Sequence, residues 1–412
     1  ALSEQYDTPV LIRLTTRVSH TRSPVLPAEV EKMELRPYQK DIQKRVMMPA
    51  MASGRHRVVE ERMTHLAEDS IRIGRHEISL KSPCLGIVTS GAASLYVKEA
   101  LPDASVFKLG MVWPLPISAL KEFAAQVERL IVVEELDPFI ETELRAAGIV
   151  CEGKALFTPL GEYSASLLRT VLSENADPEP AVSPDISKTA APRPPVFCAG
   201  CPHKGLFLAL GRLGLIVTGD IGCYTLGALS PTYAMDTCVC MGASIGMAHG
   251  IDKATNGALS RKTVAVIGDS TFLHSGITGL LHCVYNQSDS TIIILDNSIT
   301  GMTGHQQNPA TGLNIRLKEA PAVDLYALCQ TLGAQSVRKV DPANPAEVEK
   351  VVSEEIEKKG VSVIIAQRPC ALIPTGKASP EKAVLVDMEK CRRCHACLRI
   401  QCPALTAGPD HI

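Results

Sequence analysis

Two residues with oxygen donors stand just beyond two apolar runs. Asp269 follows Thr263–Ile267 and a glycine, Gly268, while Asn297 follows Thr291–Leu295 and Asp296. Both runs have the length and β-branched content of buried strands. The segment 276–286 between them reads as one crossover helix, which a pair of parallel neighbours requires. In a right-handed strand–helix–strand unit the carboxyl ends of both strands lie on one edge of the sheet. The Asp269 carboxylate and the Asn297 amide oxygen then come within reach of one hard cation, with the backbone carbonyl of Ile299 as a third ligand. Mg²⁺ takes a few protein oxygens and completes its shell with water and substrate phosphates. Asp and Asn also close strands as ordinary turn residues. The pair at this spacing, with Gly268 ahead of the acid, favours the metal.

The chain has fourteen cysteines among its 412 residues, and some of them are crowded. Cys391, Cys394, Cys397 and Cys402 are spaced x2, x2 and x4, with Pro403 straight after the last. That is close to a ferredoxin [4Fe–4S] quartet, which has three residues before its final cysteine; in two-cluster ferredoxins the cysteine before proline serves the other cluster, so Cys402 either completes this one or pairs with a further quartet beyond Ile412. A structural zinc site is the alternative. A further Cys198-x-x-Cys201 pair precedes Pro202-His203. Clustering of this kind in a reducing compartment points to metal binding rather than to disulfides. Cys84, Cys151, Cys238, Cys240, Cys283 and Cys329 fit no spacing and are expected to be core thiols.

The elements that must position these groups fall into two α/β blocks. The first alternates strands (84–90, 106–110, 130–134) with helices (92–101, 117–127, 138–147), the pattern of a parallel sheet covered by helices. A proline-rich stretch, 174–195, reads as a linker. The second block carries strands at 215–218, 263–267, 291–295 and 361–366. Composition agrees with folded domains: 45% hydrophobic, 21% charged, net charge -2. No positive field suggests a nucleic-acid partner, and neither a spanning apolar run nor a secretory leader is visible. A cytoplasmic protein with no membrane partner is expected.

The Gly268-Asp269-Ser270 … Asn297 arrangement resembles the Gly-Asp-Gly … Asn motif of thiamine diphosphate enzymes, departing at Ser270 and at Asp296. The resemblance implies bound thiamine diphosphate and Mg²⁺. Met241-Gly242-Ala243-Ser244-Ile245-Gly246-Met247 also matches. It implies a helix whose amino end faces the diphosphate, with Ile245 propping the bent cofactor. Cys198, Cys201, Cys223 (in Gly219-Asp-Ile-Gly-Cys-Tyr224) and Cys370 occupy the positions that hold a [4Fe–4S] cluster near the cofactor in the 2-oxoacid:ferredoxin oxidoreductases. Within that family, Asp296-Asn-Ser-Ile-Thr-Gly301-Met-Thr-Gly-His-Gln306 and Leu14-Thr-Thr-Arg-Val-Ser-His20 look most like the indolepyruvate branch.

The resemblance covers essentially the whole chain. It implies a doubly wound thiamine-diphosphate domain (196–376) and a transketolase-C-terminal-like α/β domain (46–173). A ferredoxin-like segment (377–412) would follow, and residues 1–45 would be the exit of a pyrimidine-binding domain. That domain, with its catalytic Glu, is expected upstream of Ala1, and the chain alone would then bind cofactor incompletely and be inactive. The implied reaction converts an aryl 2-oxoacid and coenzyme A to acyl-CoA and CO₂, with electrons passed to ferredoxin and a smaller beta subunit as partner. The same chemistry on pyruvate or branched-chain acids, or a non-oxidative decarboxylation, are the alternatives. His203 is the candidate side chain near substrate or diphosphate. His305 lies in a loop able to cover the site.

Overall fold

The structure is a computed structural model in which residues 2–29, 37–172, 194–373, 386–387 and 389–405 are described. It divides into two compact units, Ala1–Ala190 and Ala191–Ile412. Nearly all of the proline-rich stretch 174–195 lies outside the described residues.

In the first unit, strands β1 (Glu77–Ser79), β2 (Leu85–Ser90), β3 (Ser105–Leu109) and β4 (Arg129–Val133) form a sheet in the order β1-β3-β2-β4. Only β1 runs antiparallel. Period-two alternation sends neighbours to opposite faces. Val88 and Val132 pack with Leu120 and Leu144 on one side, and Ile87 and Ile131 with Val97 and Leu168 on the other. Beyond β4, the buried Glu134 carboxylate accepts from the amides of Ile140 and Glu141 (2.8 and 3.0 Å), capping the helix Phe139–Ala146. The apolar run Val10-Leu11-Ile12 forms no strand, and Leu11 and Ile12 are 97% and 82% exposed. An apolar run becomes a strand only where a neighbouring strand takes its amides, and none of the described strands pairs with it.

The second unit is built on a parallel sheet of six strands. They are β5 (Ile216–Gly219), β6 (Thr237–Cys238), β7 (Thr263–Gly268), β8 (Thr291–Asp296), β9 (Ser336–Val340) and β10 (Ser362–Gln367), in the order β6-β5-β7-β8-β10-β9. Every residue of β7 and β8 is buried, as expected for central strands covered on both faces. The helices Pro202–Leu213 and Pro345–Glu355 cover one face, and Ala243–Ala254, Ile277–Tyr285 and Leu325–Thr331 the other. From β5 the chain moves outward to β6, and from β7 it moves the opposite way to β8. The crevice between the carboxyl ends of β5 and β7 is therefore a topological switch point, where doubly wound sheets bind ligands.

The crossover after β7 starts earlier than expected. It begins at Asp269–Thr271 and passes through a π turn, Phe272–Gly276, into Ile277–Tyr285. Its opening Asp, Ser and Thr are weak helix formers, which hides the first turns in the sequence. A Cβ on Gly276 would lie 2.8 Å from Phe272 Cδ2 and 2.9 Å from Ile267 Cδ1, so glycine permits this close approach to the sheet.

Candidate active site

Asp269 and Asn297 lie side by side at the carboxyl edge, as their strands dictate. The β7–β8 register pairs Gly268 with Leu295, which sets Asp269 against Asp296 and leaves Asn297 one residue beyond. Both are buried, at 3% and 8% exposure. Asp269 accepts from the Ser270 amide (2.8 Å) and from Asn308 Nδ2 (3.1 Å). Burial nonetheless pushes its carboxyl up to about 6. A buried carboxylate with no cation beside it is under-compensated, and a divalent ion would reverse that. The Asn297 amide oxygen accepts from the Ile299 amide at 3.4 Å. The donor set thus fits a hard cation, and Asn308, invisible in the motif, holds its acidic member in place. Asp296 is engaged elsewhere, accepting from Gln367 Nε2 (2.7 Å) and the Ser298 amide (3.1 Å).

The glycine-rich helix start has a different occupant from the one expected. Asp220, fully buried beyond β5, accepts through Oδ2 from the Gly242 amide (2.8 Å) and the Ser244 amide (3.4 Å). The Ala243 amide donates to Cys240 O (3.1 Å). A carboxylate is a natural guest at a helix amino end, and here the protein supplies it. Gly242 takes φ 90°, and a Cβ there would meet Ser275 Cβ at 2.6 Å. Ile245 is completely buried and packs against Gly276 and Gly279 of the next helix. The Ser244 hydroxyl is buried with no hydrogen-bond partner, a donor left for a ligand.

Cys198, Cys201, Cys223 and Cys370 line one cavity of about 620 Å³, together with His203, Asn297, Gly301 and His305. The Cys370 amide donates to Asn297 O (2.9 Å) and the Cys201 amide to Cys198 O (3.1 Å). Burial, with the other three sulfurs as neighbours, pushes the Cys201 thiol up to about 11, and burial raises Cys223 as well. Among the described residues no three His, Cys, Asp or Glu groups are grouped to hold a single metal ion. Four cysteine sulfurs lining one largely apolar cavity are the kind of donor set that a [4Fe–4S] cluster takes.

His203 is neither exposed nor in a loop. It sits in the first turn of the helix Pro202–Leu213 at 4% exposure, edge-on to Tyr224, with Nε2 3.4 Å from Asn297 Nδ2. Burial lowers its pKa to about 4, so the ring is neutral at ordinary pH. His305 lies in the left-handed region (φ 61°), in the turn that the Thr300–Gln306 bridge closes.

In the tail, Arg393, His395 and Gln401 have φ of 52°, 54° and 48°, winding residues 391–402 tightly. Cys391 and Cys402 are half-buried, while Cys394 and Cys397 are exposed. Of the cysteines expected in cores, Cys151, Cys283 and Cys329 are buried, but Cys84, Cys238 and Cys240 are exposed.

Residues 220–366 match the family model described as thiamine pyrophosphate enzyme, C-terminal TPP binding domain, and residues 80–149 an indolepyruvate oxidoreductase domain. The indolepyruvate oxidoreductase subunit IorA of Archaeoglobus fulgidus is 33% identical over 429 residues, covering 98% of this chain and 68% of that protein. The chain belongs to this IorA family. Its counterpart in Methanothermobacter thermautotrophicus is 34% identical, covering 100% of this chain and 70% of its own length. A 2-oxoglutarate synthase subunit KorB from A. fulgidus is 27% identical over 43% of the chain and 70% of its own. A solved 2-oxoglutarate:ferredoxin oxidoreductase from Magnetococcus marinus aligns with 44% of the chain and 66% of its own, at 19% identity and TM-score 0.37. The second unit contains, over residues 220–366, the thiamine pyrophosphate-binding domain of an oxidoreductase subunit. No helix among the described residues is long and apolar enough to cross a membrane.

Proposed function

We propose that this chain carries out the oxidative decarboxylation of an aryl 2-oxoacid, such as indolepyruvate or phenylpyruvate. The products are the acyl-CoA and CO₂, with electrons leaving through [4Fe–4S] clusters to ferredoxin and a smaller beta subunit completing the enzyme. One backbone hydrogen bond carries the reading. The Cys370 amide donates to Asn297 O (2.9 Å), so the strand end bearing a cavity thiol is fastened to the strand end bearing the metal-facing amide. A cofactor domain with a cysteine cavity built into its metal edge suits oxidation better than simple decarboxylation, which has no use for the thiols.

Thiamine diphosphate supplies, when bound, the electron sink that loss of CO₂ from a 2-oxoacid requires. Asp269, Asn297 and the Ile299 carbonyl would hold Mg²⁺ against its diphosphate, with Gly268, Ser270 and Gly301 lining the approach, while the amides of Gly242, Ala243 and Ser244 stay engaged by Asp220 and Cys240. Ile245 backs that approach from the core. Cys198, Cys201, Cys223 and Cys370 would hold the nearer cluster, and Cys391, Cys394, Cys397 and Cys402 a second. Neutral His203 can orient a substrate oxygen or accept a proton without adding charge. Phe197, Leu226, Leu229 and Met302 keep the cavity apolar. The aryl substrate rests on the relatives, which are named indolepyruvate oxidoreductase subunits.

The test is anaerobic viologen reduction by the intact enzyme, given coenzyme A, thiamine diphosphate, Mg²⁺ and a panel of 2-oxoacids. Turnover with indolepyruvate and phenylpyruvate and little with pyruvate is expected. Turnover with pyruvate alone keeps the reaction and removes the aryl substrate. No coenzyme-A-dependent reduction with any acid overturns the proposal.

A further inference from the structure

Lys204 is a charged residue that the chemistry above does not use. It lies three residues beyond Cys201 in the helix Pro202–Leu213 and is only 8% exposed. Its ammonium donates to the backbone carbonyl of Gln401 (2.9 Å), the residue immediately before Cys402. Among the described residues no carboxylate stands within ion-pair distance of it. The groups of opposite charge that it faces electrostatically are Cys402 of the tail quartet and Cys201 of the cavity quartet, once these are thiolates. Gln401 is pinned a second time, its Nε2 donating to Ser230 Oγ (2.8 Å). Residue 401, next to Cys402, is therefore tied to the helix that follows Cys201 through a buried cation.

A buried ammonium without a counter-ion is costly, so its retention here calls for an anion. Four thiolates around a cubane supply one, and each added electron makes that cluster more negative. We propose that Lys204 is the positioning residue that couples the two clusters: it holds the tail quartet against the cavity quartet and electrostatically favours the reduced form of both. Lys204 would carry the same fixed charge whichever cluster held the electron, so transfer from one cluster to the other would need no proton. The proposal rests on the two-cluster reading above.

Iron and acid-labile sulfide are measured first on the intact, anaerobically purified enzyme. About eight of each per chain are needed for two clusters, and fewer would remove the reading on which this proposal stands. With both present, redox titration followed by electron paramagnetic resonance compares wild type with K204R, K204Q and K204M. K204R keeps the charge and should keep both midpoint potentials near wild type. K204Q keeps a donor for Gln401 but not the charge, so both midpoints should move to more negative values. K204M should do the same and also hasten tryptic cleavage at Lys390, Arg392 and Arg393. Potentials unchanged in K204Q at full iron content overturn the electrostatic role. Unchanged cleavage in K204M overturns the docking role. Should K204M lose iron or fail to fold, K204Q and K204R still decide the electrostatic role, and tryptic cleavage of K204A, which also lacks the donor to Gln401, decides the docking role.

Discussion

The site depends on single residues whose neighbours decide what they can do. Asn308 touches no expected ligand atom except through Asp269, yet it holds one carboxylate oxygen of that acid. Residues of this kind set metal affinity by aiming the ligand. Asn308→Ala is expected to weaken Mg²⁺-dependent thiamine diphosphate binding about 10–100-fold, measured by calorimetric titration, with little change in overall stability. Asp269 also predicts a pH dependence. In the metal-free fold its carboxyl holds a proton up to about pH 6, whereas an unfolded aspartate lets go near 3.9. Between those values the folded state binds the extra proton. The stability of the metal-free unit should therefore fall as pH rises through that window, and urea midpoints at pH 4, 5 and 6.5 would show it. Asp269→Asn should flatten the dependence. The cation needs the deprotonated acid, so its affinity should rise over the same window, and a pH-independent affinity would argue against Asp269 as the ligand.

At the scale of elements, the site is assembled by close approaches that only particular residues allow. A Cβ on Gly268 would stand 2.8 Å from Tyr224 Cε1, and that ring is itself buried with its hydroxyl donating to Ile221 O (3.0 Å). Gly268→Ala must therefore displace either the loop that carries Cys223 or the turn that carries Asp269. Overpacking of this sort costs about 1–3 kcal/mol. We expect a lower urea midpoint with an unchanged slope, and weaker cofactor binding with it. The two central strands were readable because burial on both faces leaves continuous apolar runs. Asp269 and Asn297 were readable because strand ends in a parallel sheet share an edge. Asp220 was not: its role depends on β5 lying beside β7, a strand order that no local pattern declares. β9 was missed because its middle is Arg338-Lys339, both exposed at the sheet edge. The first turns after β7 were missed because an Asp-Ser-Thr start reads as a turn rather than a helix.

At the scale of the whole molecule, the two units have separate hydrophobic cores. In the first, Phe107, Leu120 and Leu144 are closed off around their own sheet; in the second, Val266, Ile293 and Ile364 are closed off around theirs. Cores that share no residues can melt separately, and a ligand stabilises only the unit that binds it. Every residue assigned to cofactor, metal or thiolate chemistry lies in the second unit. In the intact protein, scanning calorimetry should resolve separate transitions for the two units. Adding Mg²⁺ and thiamine diphosphate at about 100 times the dissociation constant contributes about 2.7 kcal/mol to the folded state that binds them. For a unit of this size each kcal/mol moves the midpoint by about 2–4 °C, so the second transition should rise by about 5–10 °C. The first should stay where it is. Chelating Mg²⁺ should return the second transition to its starting point if, as proposed, the diphosphate is held through an ion on Asp269 and Asn297. Equal movement of both transitions would mean that the cofactor is bound by the two units together, and the site would then have to be rebuilt with residues from the first.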